Sequence, residues 1–350
     1  MSAQVNEIGR GANNNRSEGV WAASWRRIRS DRVGISAMVV VGLFLLLVIT
    51  SSSGLLAKDW QSEVGVPNAP PTLLGPAPAE ATGAIAVPKG PNVDLSDIDP
   101  LAPRYKEWDE RAAKFKTVDT VKAETLPFGG DRLGRDVLSK AIKGAEVSIM
   151  VGLLAAVVAT IIGTVLGALS GFFGGRVGDL LEWLYNVFTA IPGILLIFAF
   201  AVIFGRGVLS VVMILGLAGW PGIYRLIRAE FIKHSVREYV RSAEAIGASK
   251  MSRMFKHILP NVSHVALVQL SLHVVGFIKS EVILSYLGLG VGVDQVSWGT
   301  MLAESQSELI LGYWWQLAAV TAFMALFVTA FALFTDALRD ALDPKLRGLE

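Results

Sequence analysis

Few side chains in this sequence have the types and spacing needed for chemistry. It contains no cysteine and four histidines, which excludes a thiol nucleophile and any cysteine-ligated metal site. His264 and His273 are nine residues apart, roughly 900° around a helix, so they point to opposite faces and cannot share a metal ion. Lys279 and Glu281, two residues apart, cannot pair on one helix. We therefore predict no catalytic residue, no metal and no cofactor in this chain.

Motifs for nucleotide binding and hydrolysis are also missing. No G-x-x-x-x-G-K-[ST] phosphate loop occurs, and Gly247-Ala-Ser-Lys250 lacks the required spacing. The glycines at 288, 290 and 292 follow no predicted strand of a dinucleotide-binding fold. Gly167-Ala-Leu-Ser170-Gly171 is not the G-x-S-x-G of a serine hydrolase. The chain is therefore not expected to be an enzyme.

The composition indicates which elements hold these residues. Of the 350 residues, 52% are hydrophobic and 18% are charged, whereas a soluble domain has about a quarter charged residues. Six stretches free of Asp, Glu, Lys and Arg are 18 to 29 residues long, and a membrane-spanning helix needs about 20. These stretches are 33–57, 147–175, 183–205, 207–224, 258–278 and 309–335. The pattern predicts an all-α, polytopic membrane protein with six transmembrane helices, the first of them an uncleaved anchor.

Basic residues indicate the orientation. With the tail 1–32 inside, the inner segments hold 18 Lys and Arg, and the short outer segments hold Arg206, with Lys279 at a membrane edge. Because short cytoplasmic segments are enriched in Lys and Arg, we predict that 1–32 and 336–350 are cytoplasmic. Residues 58–146, proline-rich in their first part, then form a periplasmic insertion, and 147–335 form a five-helix core. One short amphipathic helix is predicted in the insertion, at 105–118.

Glycines and prolines mark packing positions and breaks inside the spans. Gly163, Gly167 and Gly171 form a stripe that lets another helix approach closely, so helix packing is favoured over a pore-lining role. Pro192 and Gly193 are predicted to interrupt the third span, and the segment 219–222 to end the fourth. Pro192, and Glu281 as a residue bordering a water-filled passage, are the candidates for a translocation path.

The segment 225–261 carries most of the functional information. It has eight basic and three acidic residues, a net charge of +5 (8 minus 3). Its apolar residues recur at helical spacing up to Gly247, which predicts an amphipathic helix, a glycine turn and a second helix. The apolar positions are Val236, Tyr239, Val240, Ala243 and Ile246. Such a helix could lie on anionic lipid or dock into a partner's groove, and the composition does not choose between them.

The same loop resembles the EAA motif of binding-protein-dependent ABC importer permeases. That pattern is E-A-A, three residues, Gly, nine residues and I-x-L-P. In this chain the matching positions are Arg241-Ser242-Ala243, Gly247 and 257–260, with Arg241 in place of the glutamate and His257 in place of the isoleucine. Other segments resemble the C-type permeases of dipeptide and oligopeptide importers: 25–32, 126–139, 281–290, 297–299 and 340–347. The resemblance covers about 20–55 and 126–347 and leaves out the insertion 58–125.

The resemblance implies the type I ABC importer permease fold in the bacterial inner membrane. It implies a heterodimer with a homologous second permease, two ATP-binding cassette subunits carrying ATP and Mg, and a periplasmic substrate-binding protein that delivers a peptide. Closure of the ATPase dimer would push the coupling loops and tip the spans from inward-facing to outward-facing. Lipid is the other partner, and no nucleic acid is expected.

The resemblance also implies which residues contact the ATPase. Tyr239 and Ile246 would anchor the coupling helix in a cleft, with Arg237 and Arg241 at its rim. Gly247→Pro, or charge reversal at Arg241, is expected to uncouple transport with the protein still inserted. The complete implied set is Arg237, Tyr239, Val240, Arg241, Ala243, Ile246, Gly247, Leu259 and Pro260.

Other functions stay open as alternatives. Within the family, the cargo could be a nickel chelate or an antimicrobial peptide instead of a nutrient peptide. Outside it, an ion-gradient-driven secondary carrier is disfavoured, because no chain of carboxylates and histidines runs through the spans and no inverted repeat is evident. An intramembrane protease is disfavoured because neither histidine has a serine partner at helical spacing.

Overall fold

The computed structural model describes residues 26–76, 99–101, 104–112 and 122–342, and these are mostly helical. Most of the predicted N-terminal tail, much of the insertion and the end of the C-terminal tail lie outside the described residues. The main helices, numbered in chain order, are α1 (Arg32–Ser52), α2 (Tyr105–Ala112), α3 (Val137–Phe173), α4 (Gly175–Ala190), α5 (Gly193–Phe204), α6 (Val208–Ser235), α7 (Glu238–Ala245), α8 (Lys250–Tyr286), α9 (Trp298–Ile310) and α10 (Trp315–Leu342).

Within the described residues, five helices are long and apolar enough to cross a membrane: α1, α3, α6, α8 and α10. The pair α4–α5 passes the same test as a unit but is bent by 92°, so it makes a sixth span if the pair counts as one. The bend lies at the predicted break, where Ile191 is extended and Pro192 precedes α5. Proline favours an extended residue before it, which ends α4 there.

The predicted end of the fourth span at 219–222 is wrong. Helix α6 continues through Pro221 to Ser235. Proline removes one helical hydrogen bond, but tight packing against the glycine stripe of α3 holds the helix together at this point. A Cβ on Gly163 would lie 2.8 Å from the Trp220 carbonyl oxygen, and one on Gly167 would lie 2.8 Å from the Tyr224 carbonyl oxygen. Packing against α3 therefore keeps α6 helical despite the proline at position 221.

The second span begins ten residues before the predicted 147, because α3 starts at Val137. Asp136 caps α3 by accepting hydrogen bonds from the Leu138 and Ser139 N–H groups. The first turns of α3 contain three charged residues, so they do not belong to the charge-free stretch that predicted this span. In the structure Lys140 is fully buried, and Lys143 pairs with Glu146 at 2.7 Å.

The last charge-free stretch, 309–335, also differs from the observed helices. Its first residues close α9 and form a turn in which Gly312 has a φ of +91°, and α10 begins only at Trp315. A left-handed φ suits glycine because it has no Cβ. Ser297 begins α9 with a reciprocal capping box to Thr300. Helix α10 then extends to Leu342, past the predicted limit at 335.

The described parts of the insertion that follow α1 and precede α3 pair with each other where α3 begins. Helix α2 covers Tyr105–Ala112 of the predicted short helix, whose remaining residues lie outside the described ranges. The chain after α1 pairs with the chain before α3 through isolated bridges between Glu63 and Arg135 and between Gly65 and Ala123. The insertion therefore fixes the segment that leads into α3.

Within the described residues the core has three apolar clusters, and each of them includes residues of α3. One joins α3 to α1, α8, α9 and α10 around Trp298 and Phe327. A second joins α3 to α5 and α6. The third joins α3, α6 and α8 to the short helix α7. Burial of these side chains, rather than helix propensity, positions α7.

Candidate functional site

The short helix α7 lies at one end of the bundle and is amphipathic in its packing. Val240 and Ala243 are 1% and 4% exposed, and Val240 belongs to the cluster that contains Phe231 of α6 and Met254 and Ile258 of α8. Of the residues expected to contact an ATPase, these two therefore face the protein's own core. Their place in the fold is to hold α7 against the long helices.

The other side of α7 and its following turn are exposed. Ile246 is 86% exposed and Tyr239 is 37% exposed, and Arg241 is exposed as well. The Tyr239 hydroxyl lies 2.8 Å from Nδ1 of His234, at the end of α6. An exposed isoleucine of this degree beside cationic side chains is the composition of a protein contact surface. We call this surface, made by Arg237, Tyr239, Arg241, Ile246 and Gly247, the coupling surface.

The turn after α7 depends on Gly247. Its φ is +90°, and its N–H donates to the Glu244 carbonyl oxygen at 2.9 Å, which closes the helix. Ser249 then caps α8 by accepting a hydrogen bond from the Ser252 N–H at 3.2 Å. A π-helical segment, Arg253–Ile258, precedes Leu259 and Pro260. Leu259 packs against the core cluster of α7, and Pro260 is exposed.

An ion pair that the sequence did not reveal joins α7 to the long helices. Glu244 of α7 contacts Arg253 of α8 at 2.6 Å, and the Arg253 guanidinium lies over the Phe172 ring of α3, 5.7 Å from its centroid. The spacing of nine residues across a glycine turn gave no signal for this pair. Together with the buried face of α7, it makes the coupling surface continuous with α3 and α8.

We expect Gly247→Ala to destabilise the protein by about 1 kcal/mol, because an L-residue is strained in the left-handed region. A Cβ at Gly247 would meet nothing within 4 Å, so strain and not a clash is the cause. The matched control is Gly42→Ala, in the middle of α1 and also without neighbours within 4 Å. That change should be neutral or stabilising. Thermal unfolding followed by tryptophan fluorescence tests both, and equal shifts would contradict the expectation.

The residues expected at a translocation path and in helix packing lie in three places. Glu281 is fully buried, and its carboxylate accepts hydrogen bonds from the Ser148 and Ser285 hydroxyls, both at 2.6 Å. In this conformation it reaches no open surface. Pro192 is exposed at the bend between α4 and α5. The stripe of Gly163, Gly167 and Gly171 contacts the backbone of α6.

A buried ionic cluster at the opposite end of the bundle was not predicted. The Lys140 ammonium lies 2.7 Å from Asp131, 2.5 Å from Glu304 and 3.3 Å from the Gln316 amide oxygen, and Arg135 contacts Asp131 at 2.7 Å. Burial alone would raise the pKa of Asp131, but Lys140 and Arg135 hold that pKa below its usual range. These contacts join the segment before α3 to α9 and α10.

Glu308 extends this cluster and supplies a pH dependence. Burial raises the pKa of its carboxyl to about 6, and among the described residues its Oε2 has no hydrogen-bond partner. The contribution of Glu308 to the free energy of unfolding is therefore most favourable below pH 4.5, where the carboxyl is protonated in the folded and the unfolded state. This contribution is lost as the pH rises through 6. We expect Glu308→Gln to remove this dependence and to stabilise the protein at pH 8 by about 2 kcal/mol. Thermal unfolding at pH 5 and pH 8 tests it; an unchanged pH dependence would contradict it.

The fold and the coupling surface define an integral membrane protein whose long helices end on an exposed, amphipathic connecting helix. The model of the family described as "Binding-protein-dependent transport system inner membrane component" matches residues 163–348. The chain belongs to this family.

Curated relatives agree with that membership. The chain is 34% identical over 247 residues to the oligopeptide transport system permease protein OppC of Bacillus subtilis, which is 71% of this chain and 81% of that protein. It is 35% identical over 220 residues to the dipeptide transport system permease protein DppC of the same species, 63% and 69% of the two chains. It is 36% identical over 223 residues to the glutathione transport system permease protein GsiD of Escherichia coli, 63% and 73% of the two chains.

These findings confirm the resemblance to peptide importer permeases. The chain is a multi-pass inner-membrane permease component of a binding-protein-dependent ABC importer, and it is not itself the ATPase. ATP is a ligand of the partner ATPase that the family implies, and the permease family works without a cofactor of its own.

Proposed function

We propose that this chain forms half of the translocation path of a peptide importer and receives the motion of a separate ATPase through the coupling surface. The observation that carries the proposal is the division of α7 into two faces. Val240 and Ala243 are buried, Val240 in a cluster with residues of α6 and α8, while Ile246 and Arg241 are exposed. A helix that is packed on one face and exposed on the other can transmit the movement of a bound partner to the helices that it packs against.

The proposal places α7 and both termini in the cytoplasm, as the distribution of Lys and Arg favours. Helix α8 is 37 residues long, about 55 Å, so the loop after it lies on the other side of the bilayer. The second permease would be a homologue, and two ATPase subunits and a periplasmic binding protein would complete the importer. Relatives named for oligopeptide, dipeptide and glutathione transport support a peptide cargo over a nickel chelate.

The absence of cysteine allows a direct test of orientation. Single cysteines are placed by Ile246→Cys on the coupling surface and by Val293→Cys, which is 92% exposed beyond the far end of α8. With a membrane-impermeant thiol reagent on intact spheroplasts, we expect labelling at position 293 only. Labelling at position 246 should require permeabilised cells. The opposite pattern would refute the proposal.

The contact with the ATPase is tested by crosslinking. The Ile246→Cys variant, co-expressed with the ATP-binding subunits of its importer, should crosslink to one of them through a short bifunctional reagent. The Val293→Cys variant serves as the control and should not. Uptake of labelled peptide by the reconstituted importer tests the cargo. An assembled complex that hydrolyses ATP and imports no peptide would overturn the peptide assignment.

A further inference from the structure

Helix α8 has two faces of different character. One face is buried against α3 and α9 and includes Glu281 and Ser285. The opposite face is exposed or half-buried, and it carries polar and small residues together with the exposed apolar residues Leu272 and Ile283. The polar and small residues, which we call the α8 stripe, are Gln269, Gly276, Lys279 and Ser280. Lys279 and Glu281 lie on opposite sides of the helix, about 200° apart.

The depth of Gln269 places a polar amide on this face near the middle of the membrane. It lies 17 residues from the Tyr286 end of α8, about 26 Å, and 19 residues from the Lys250 end, about 28 Å. It is therefore near the middle of the span. Its side-chain amide makes no hydrogen bond within the part of the chain that the structure describes. An unpartnered amide in hydrocarbon costs several kcal/mol.

Lys279 adds a charge to the same face. It is exposed, and among the described residues it has neither an ion pair nor a side-chain hydrogen bond. It lies seven residues from Tyr286, about 10 Å from the end of the helix. Snorkelling towards the interface would account for Lys279 alone. It does not account for Gln269, which is ten residues deeper on the same side.

The stripe also borders open space. A Cβ on Gly276 would meet no atom within 4 Å, although Gly276 lies in the middle of a packed membrane helix. Elsewhere α8 is in close contact: a Cβ on Gly219 of α6 would lie 2.2 Å from the Phe277 ring. The space beside the stripe at Gly276 is therefore not filled by the described part of the chain.

We propose that the α8 stripe lines the translocation path and that the Lys279 ammonium binds the carboxylate of the translocating peptide. This inference rests on the proposed function, since it names the residues that meet its cargo. A peptide has a free C-terminal carboxylate, and an ammonium–carboxylate contact is a strong, charge-assisted hydrogen bond. The Gln269 amide offers both donors and an acceptor for peptide groups deeper in the path.

The charge is tested in the assembled importer, reconstituted with its binding protein and ATPase, using short alanine peptides with a free C-terminal carboxylate. We expect Lys279→Gln to reduce uptake about tenfold and Lys279→Arg to keep it near the wild-type rate. ATP hydrolysis stimulated by the binding protein should stay unchanged in both. Wild-type uptake by Lys279→Gln would overturn the role of the charge. If the wild-type complex imports no peptide at all, the proposed function fails instead.

The position of the stripe is tested with Gly276→Leu, against Gly42→Leu as the matched control. Both glycines lie in membrane helices with no neighbour within 4 Å of a Cβ. We expect Gly276→Leu to block uptake while the second permease still co-purifies, and Gly42→Leu to have no effect. Unchanged uptake by Gly276→Leu would mean that the face meets lipid. Loss of the second permease would mean that it is a subunit interface. Either result would overturn the proposal.

Discussion

Replacing Ile246 with aspartate is expected to reduce ATP-dependent uptake at least tenfold and to leave the folded permease in the membrane. The side chain is 86% exposed, so the fold loses almost no buried apolar surface when it is changed. In the importer, the same position would be buried against the ATPase. A carboxylate desolvated there costs roughly 2 kcal/mol or more, and 1.4 kcal/mol is a factor of ten in affinity. Co-purification with the ATPase and uptake in proteoliposomes measure the effect.

The matched control for this experiment is Val293→Asp. Val293 is also an exposed aliphatic residue, 92% accessible, but it follows the other end of α8. Its substitution should leave ATPase binding and the yield of inserted protein at the wild-type level. Full uptake by Ile246→Asp with normal ATPase binding would rule out the coupling surface. An equal loss in both variants would point to a general effect of an added charge.

The existence of α7 could be predicted from the sequence, but its orientation could not. Apolar residues at helical spacing and Gly247 indicated a helix and a turn, and both are present. The pattern treated Val240, Ala243 and Ile246 as one apolar face. In the structure the helix ends at Ala245, so Ile246 leaves that face and projects outward. Which apolar residues of a short helix are buried depends on the helices packed against it, and these are distant in sequence.

Prolines predicted the end of a helix correctly only where packing with distant residues did not keep the chain helical. Pro192 is exposed at a 92° bend between two helices, whereas Pro221 is buried inside α6, which packs against the glycine stripe of α3. The two prolines are indistinguishable to a rule that reads only neighbouring residues. The stripe itself was recognisable, but its partner helix was not.

The buried charged residues are the feature of the structure that the sequence predicted least well. The second span was predicted from the charge-free stretch 147–175, and Lys140 lies outside that stretch because it is charged. The structure buries this lysine because it meets Asp131 and Glu304, and Glu304 is 164 positions away in sequence. A buried charge is tolerated only when its partners are present, and the sequence does not show which residues the fold brings together.

Lys140→Met is expected to be the most destabilising single change, because it removes the buried cation that contacts Asp131 and Glu304 and leaves both carboxylates to share Arg135. The Lys140 and Asp131 side chains are both fully inaccessible, and removing one partner of a buried ion pair costs roughly 3–5 kcal/mol. A loss of this size is comparable to the whole stability of many domains. We expect little folded protein in detergent extracts, measured by size-exclusion chromatography and thermal unfolding.

Two companion variants separate the ion pair from a general effect of losing a lysine. Lys143→Met removes a partly exposed lysine one turn further along α3. Its partner Glu146 keeps the hydrogen bond from the Ser51 hydroxyl, so this change should cost less than Lys140→Met. Adding Asp131→Asn to Lys140→Met removes one of the two carboxylates that then share Arg135 and should restore part of the lost stability, since the penalty comes from an excess of buried negative charge. If Lys140→Met is as stable as Lys143→Met, or if the double variant is worse than the single one, the cluster does not hold the segment before α3 to α9 and α10 through this charge.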